Sequence, residues 1–163
     1  MSDSRRDRAK RGRSAARLGA VQALYQMEVT GGSVSEIRRE FEAHRLGGAI
    51  EEEGGDVYHE ADIDLFRDIL AGVVSAQREV DRLTDKALVA KWPLGKIDPT
   101  LRALFRAGGY ELLGRLDVPP RVIIGEYVDV AKAFYSEGKE AKFVNAVLDH
   151  MAREARPGAL DPR

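Results

Sequence analysis

Apolar residues recur at three- and four-residue spacings along most of the chain, and no alternating apolar–polar run reaches strand length. The pattern therefore predicts helices and no sheet. The first helix is expected from about Ser14 to Val29. Leu18, Val21, Leu24 and Tyr25 form its buried stripe, with Ala20 and Met27 beside it, and Gly31-Gly32 ends it. Ser33 and Glu36 have the spacing of a capping box, and Val34, Ile37 and Phe41 supply one face of a second helix. Ile63, Phe66, Ile69, Leu70, Val73 and Val74 mark a long third helix running to about Leu83. A short helix from Asp85 to Lys91 then leads to Trp92-Pro93, where the proline stops it. Asp98-Pro99 pairs an N-cap carboxylate with a proline in the first turn, opening a helix that carries Leu101, Leu104, Phe105, Leu112 and Leu113. Inside that helix Gly108-Gly109 costs about 1 kcal/mol per glycine relative to alanine, which points to a helix crossing too close for side chains. A further helix over about Pro120 to Tyr135 places Ile123, Tyr127, Val130, Ala131 and Phe134 on one face. After Gly138 a last helix, about Glu140 to Glu154, is built on Val144, Val147, Leu148 and Met151. The expected fold class is all-α, with about seven helices.

The stretch "GGAIEEEGGDVYHEADID" interrupts this periodicity. Between Glu51 and Asp64 it holds seven acids and no Lys or Arg, and it reads as an exposed acidic loop. The organisation expected is a flexible basic arm over residues 1–13, one helical domain over 14–153, and a C-terminal tail over 154–163. Within the domain, the loop at 47–62 separates a front part, 14–46, from a back part, 63–153. At 163 residues one domain with a real core is the ordinary expectation.

Charge adds a second division. Residues 1–17 hold seven cations (Arg5, Arg6, Arg8, Lys10, Arg11, Arg13, Arg17) against Asp3 and Asp7, a local charge of +5 in a chain of net −1. The remainder must then carry −6, and such asymmetry suggests a front end built to meet an anionic partner. A disordered, solvated tail is the plainer reading of the same residues. Arg13 and Arg17 are four apart and share one side of the first helix, while Lys10, Arg11 and Arg8 extend the charge into the arm. Cations near a helix N-terminus oppose its macrodipole, a cost of a few tenths of a kcal/mol each that a phosphate partner would offset. Lys139 and Lys142 form a second basic cluster beside Phe143. Lysines next to an aromatic suit single-stranded RNA, where phosphate neutralisation combines with base stacking. Phe143 reads equally well as a core residue.

Catalytic chemistry is poorly supported. There is no cysteine, which removes disulfides, thiolate metal sites and cysteine nucleophiles and fits a reducing compartment. His44, His59 and His150 are the only histidines, and none has a metal-ligand spacing along a helix. His59, Glu60, Asp62 and Asp64 lack the glycine-centred spacing of a calcium loop. Glu126 and Asp129, one turn apart, read as a solvated face rather than as paired catalytic carboxylates. No nucleophile elbow, phosphate-binding glycine loop or dinucleotide fingerprint is present. No cofactor and no metal is expected. The segment "AARLGAVQALY" lacks the character of a signal core, because Gln22 and Glu28 interrupt it and no small-residue cleavage site follows. No apolar run approaches the roughly 20 residues of a membrane span, so a cytoplasmic protein without membrane contact is expected.

Four stretches carry a resemblance. "ARLGAVQALYQ" is similar to the opening helix of the NusB transcription-antitermination family, and "LFRAGGYELL", "DVPPRVIIGEYVDVAKAF" and "KFVNAVLDHMA" resemble its back half in the same order. Together they cover most of residues 11–153. The resemblance implies two small helical subdomains and a non-enzymatic factor. Such a factor binds the boxA element of nascent ribosomal RNA with NusE, a small-subunit ribosomal protein, and joins other Nus factors on RNA polymerase to suppress premature termination. It places the family's arginine-rich segment on Lys10, Arg11, Arg13 and Arg17, and its RNA-contacting aromatic on Phe143 with Lys142 beside it. Tyr25 matches the tyrosine of the first helix. The chain departs from the family pattern at Gly125, Ala146 and the glycine pair, which read as repacked helix crossings. Its NusE-facing acids do not map onto residues 92–101.

Two readings of other classes compete. One is a structural homodimer in which the front arginines are inert. The other is the RNA-binding part of a ribosomal-RNA cytosine methyltransferase. That enzyme needs an α/β cofactor domain and a catalytic cysteine, and these 163 residues contain neither.

Overall fold

Six α-helices follow one another in the computed structural model, which describes residues 4–44, 61–88 and 97–160. They are α1 (Arg5–Thr30), α2 (Val34–His44), α3 (Ile63–Leu88), α4 (Pro99–Gly114), α5 (Pro120–Phe134) and α6 (Gly138–Ala155). No strand occurs among the described residues. The short helix expected from Asp85 is instead the end of α3, which continues to Leu88. Trp92-Pro93 and most of the acidic loop lie outside the described residues.

The ends of the helices follow local chemistry. Gly31 terminates α1 in the left-handed region (φ 75°), its N–H bonded to the Met27 carbonyl at 2.9 Å. Ser33 and Glu36 form the expected capping box, the Glu36 N–H reaching Ser33 Oγ at 3.1 Å and the Ser33 N–H reaching Glu36 Oε1 at 3.4 Å. Asp62 caps α3 through the Leu65 N–H at 2.9 Å, and Asp98 caps α4 through the Leu101 N–H at 2.8 Å. One start differs from expectation. Helix α1 begins at Arg5 rather than Ser14, with Ser4 Oγ accepting the Asp7 N–H at 3.0 Å. Apolar periodicity is blind to residues 5–13, but Arg, Lys and Ala are good helix formers and a serine cap with an acid in the first turn suffices to start them.

The chain divides into two compact units, Met1–Ala71 and Gly72–Arg163, with the division falling inside α3. In the first, Ala16, Ala20, Val21, Ala23 and Leu24 of α1, Ile37 and Phe41 of α2, and Phe66 of α3 are buried. Phe41 and Phe66 stack with ring centroids 5.9 Å apart. A bidentate pair joins Arg67 to Glu42, both N–O distances being 2.8 Å. The Arg67 hydrogen bond holds the Glu42 carboxyl below its ordinary pKa.

The second unit buries Leu101, Leu104, Phe105 and Leu112 of α4 against Ile123 and Tyr127 of α5 and Val144, Leu148 and Met151 of α6. The glycine pair sits where elements meet closely. A Cβ on Gly108 would lie 3.1 Å from Leu148 Cδ2, and one on Gly109 would lie 2.7 Å from Val80 Cγ1. Two polar devices were not visible in the periodicity. The Tyr127 hydroxyl donates to the buried Glu111 carboxylate at 2.6 Å. The Arg156 guanidinium closes the end of α4 by donating to the carbonyls of Glu111 (3.0 Å), Leu112 (2.8 Å) and Arg115 (2.8 Å), and to Val118 (2.7 Å) beyond it. An ammonium is a point donor and does not span four carbonyls. Arg156→Lys is therefore expected to lower stability by about 1 kcal/mol, measured as a lower urea midpoint at unchanged slope.

Three apolar residues expected in buried stripes stand outside them: Tyr25 is 40% exposed, Val74 49% and Phe134 36%. Each lies at the edge of its stripe, where the 3.6-residue repeat places a side chain at the boundary with water.

Candidate nucleic-acid interface

In the first unit the early start of α1 alters the geometry of the basic segment. Arg6, Lys10 and Arg13 are spaced by four and three residues, so they share one side of a helix rather than belonging to a coil. All three are exposed. Because the helix begins at Arg5, Lys10 and Arg13 lie beyond its first turn, and opposition to the macrodipole falls on Arg5, Arg6 and Arg8, offset in part by Asp7. Arg11 is half-buried and engaged by the protein itself. Near it the Gly12 carbonyl accepts the Asp62 N–H at 2.9 Å, which pins this part of α1 to the entry of α3.

Arg17 differs from what its spacing implies. It is 3% exposed and has interactions of its own within the protein. Four residues on from Arg13 the helix has entered the core, flanked by buried Ala16 and Ala20, so the stripe of cations ends inside the protein. Tyr25 lies twelve residues from Arg13, about 18 Å along the helix and about 120° round it. Its exposed ring is thus apart from the cationic side. Next to it, Gln26 Nε2 donates to Glu40 of α2 at 3.0 Å.

In the second unit Lys139, Lys142 and Phe143 stand at i, i+3 and i+4 on the first turns of α6, and so on one side of it. Both lysines are exposed. Phe143 is half-buried, its ring edge-on to buried Phe105 at 6.0 Å between centroids and 69° between planes. Phe143 thus packs on the core at Phe105 and is partly open to solvent on the side of α6 that carries the two lysines. Such a ring suits base stacking because its orientation is already set. Glu137, the N-cap of α6, makes no side-chain capping bond.

Among the described residues no group of three or more His, Asp or Glu side chains is placed to hold a metal. His59 and Glu60 lie outside the described residues. Among the described residues no helix is long and apolar enough to cross a membrane.

Comparison with known proteins identifies the family. The chain is 56% identical over 144 residues to the transcription antitermination protein NusB of Mesorhizobium japonicum, spanning 88% of this chain and 90% of that protein. It is 52% identical over 160 residues to the NusB of Nitrobacter hamburgensis, spanning 97% and 98%. Its fold matches a chain in a crystal structure of the antitermination factors NusB and NusE in complex with dsRNA. That match has a TM-score of 0.68 and 22% identity, covering 88% of this chain and 98% of the other. Residues 14–153 match the NusB family, and the chain belongs to it.

Proposed function

We propose that this protein is a transcription antitermination factor that binds boxA RNA of ribosomal-RNA transcripts together with NusE. With other Nus factors it supports processive transcription by RNA polymerase, in the cytoplasm and without catalysing a reaction. The observation that carries the reading is the kinship with NusB proteins over nearly the full chain, at 52% identity across 97% of it. A more distant relative of the same fold is held in a complex with NusE and double-stranded RNA.

The residues divide the work by chemistry. Arg6, Lys10 and Arg13 neutralise phosphates along one side of α1, and Lys139 and Lys142 do the same on α6. Phe143 stacks on an unpaired base, and Tyr25 offers a second exposed ring on α1. Arg17 supports α1 from within.

The test is fluorescence anisotropy with a short boxA RNA and a scrambled control, with and without NusE. Binding that prefers boxA and tightens with NusE supports the reading, whereas equal, weak and salt-sensitive binding to both RNAs overturns it. Phe143→Ala is expected to weaken boxA binding about five- to tenfold, the lower part of the range for one stacked base. The slope of log affinity against log salt should stay unchanged, because no phosphate contact is lost. A melting temperature measured alongside separates lost stacking from a loosened Phe105 contact.

A further inference from the structure

The turn between α5 and α6 carries no anchor of its own. Ser136, Glu137 and Gly138 are all exposed, Glu137 makes no side-chain capping bond, and a Cβ added to Gly138 would meet nothing within 4 Å. Yet α6 and its two lysines start directly from this turn. What fixes the turn must lie on either side of it, and the structure shows two ties, both to α4. Downstream is the edge-on contact of Phe143 with Phe105. Upstream is Tyr135, the C-cap of α5, whose hydroxyl donates to the Asp98 carboxylate and lies 2.9 Å from each of its oxygens. Asp98 and Phe105 are seven residues apart, about two helical turns, so both ties land on the same side of α4.

The Asp98 end of this tie is itself firmly held. Its Oδ1 accepts the Leu101 N–H at 2.8 Å as the cap of α4, and its backbone carbonyl accepts the Arg102 N–H at 3.0 Å. Burial, with the Asp98 hydrogen bond second, raises the Tyr135 hydroxyl above its ordinary pKa, so it remains a proton donor at neutral pH. Glu140, in the first turn of α6, adds a smaller push in the same upward direction.

We propose that Tyr135 is a positioning residue for RNA binding. Its hydrogen bond to Asp98 holds the α5–α6 turn so that Lys139, Lys142 and Phe143 are presented together rather than ordered at the moment of binding. This inference rests on the reading of α6 as an RNA-contacting surface. Tyr135 itself touches no RNA. It acts by removing an ordering cost that the complex would otherwise bear.

The test is Tyr135→Phe in the full chain, which keeps the ring and deletes the hydroxyl. Affinity for boxA RNA is expected to fall about three- to tenfold, the range of an ordinary net hydrogen bond, because solvent reaches the Tyr135–Asp98 pair and weakens it. In a background with Lys139, Lys142 and Phe143 all replaced by alanine, Tyr135→Phe is expected to have no further effect, because there is nothing left to position. Asp98→Asn, which retains a capping side chain but removes the charge, should weaken binding in the same direction and by less. It remains informative if Tyr135→Phe lowers the melting temperature. Native-like affinity in Tyr135→Phe, or an equal loss in both backgrounds, overturns the inference. If the triple-alanine background itself binds boxA RNA like the unmodified protein, the reading of α6 as an RNA surface fails instead.

Discussion

Replacing Arg17 by glutamate is expected to destabilise the protein by about 3–5 kcal/mol, the cost of leaving an uncompensated charge in a buried position. That is a large share of the roughly 5–15 kcal/mol that holds an ordinary domain folded. Arg17 is 3% exposed, lies between buried Ala16 and Val21 on α1, and is engaged by the protein. A glutamate there is shorter, opposite in sign and still deprived of water, so the interaction the guanidinium makes is lost and a carboxylate is left buried. Arg13→Glu provides the contrast. Arg13 is exposed on the same helix, so stability should change by no more than about 0.5 kcal/mol while RNA affinity falls. Urea denaturation monitored by circular dichroism separates the two variants. Unchanged stability in Arg17→Glu, together with weaker RNA binding, would return Arg17 to the phosphate-binding set that its sequence spacing implies.

The contrast between these arginines shows where a linear reading stops. Helix termini were legible because they are local: Gly31, the Ser33–Glu36 box and the Asp98 cap each depend on residues within one turn. The close crossing at Gly108-Gly109 was legible too, since glycine inside a helix carries a cost that needs a reason. The start of α1 was not, because residues 5–13 carry almost no apolar side chains and helix propensity had to be weighed in place of periodicity. The burial of Arg17 was hidden for the opposite reason. Spacing shows which side of a helix a residue shares, but only tertiary packing decides how far along that side water reaches. The same limit applies to Tyr127 with Glu111, sixteen residues apart, and to Tyr135 with Asp98, thirty-seven apart. In each, a polar side chain finds a charged acceptor on another helix, and no local pattern marks the pair.

Lys10→Ala combined with Arg13→Ala is the variant in which the phosphate-binding role of α1 stands or falls. Both side chains are exposed and three residues apart on one side of the helix. Each phosphate neutralised on a single strand contributes about 0.7 to the slope of log affinity against log salt. Losing two contacts should therefore flatten that slope by about 1.4 and weaken binding about 25-fold at 0.1 M salt, with the curves converging as salt approaches 1 M. Discrimination between boxA and a scrambled RNA should survive, because phosphate contacts position a strand without reading it. Alanine is a better helix former than either residue it replaces, so the melting temperature should not fall and a lost fold cannot mimic the effect. Titrations from 50 mM salt upward check the prediction. A slope identical to that of the unmodified protein would show that these side chains meet only solvent, and the basic face of α1 would then need a different partner.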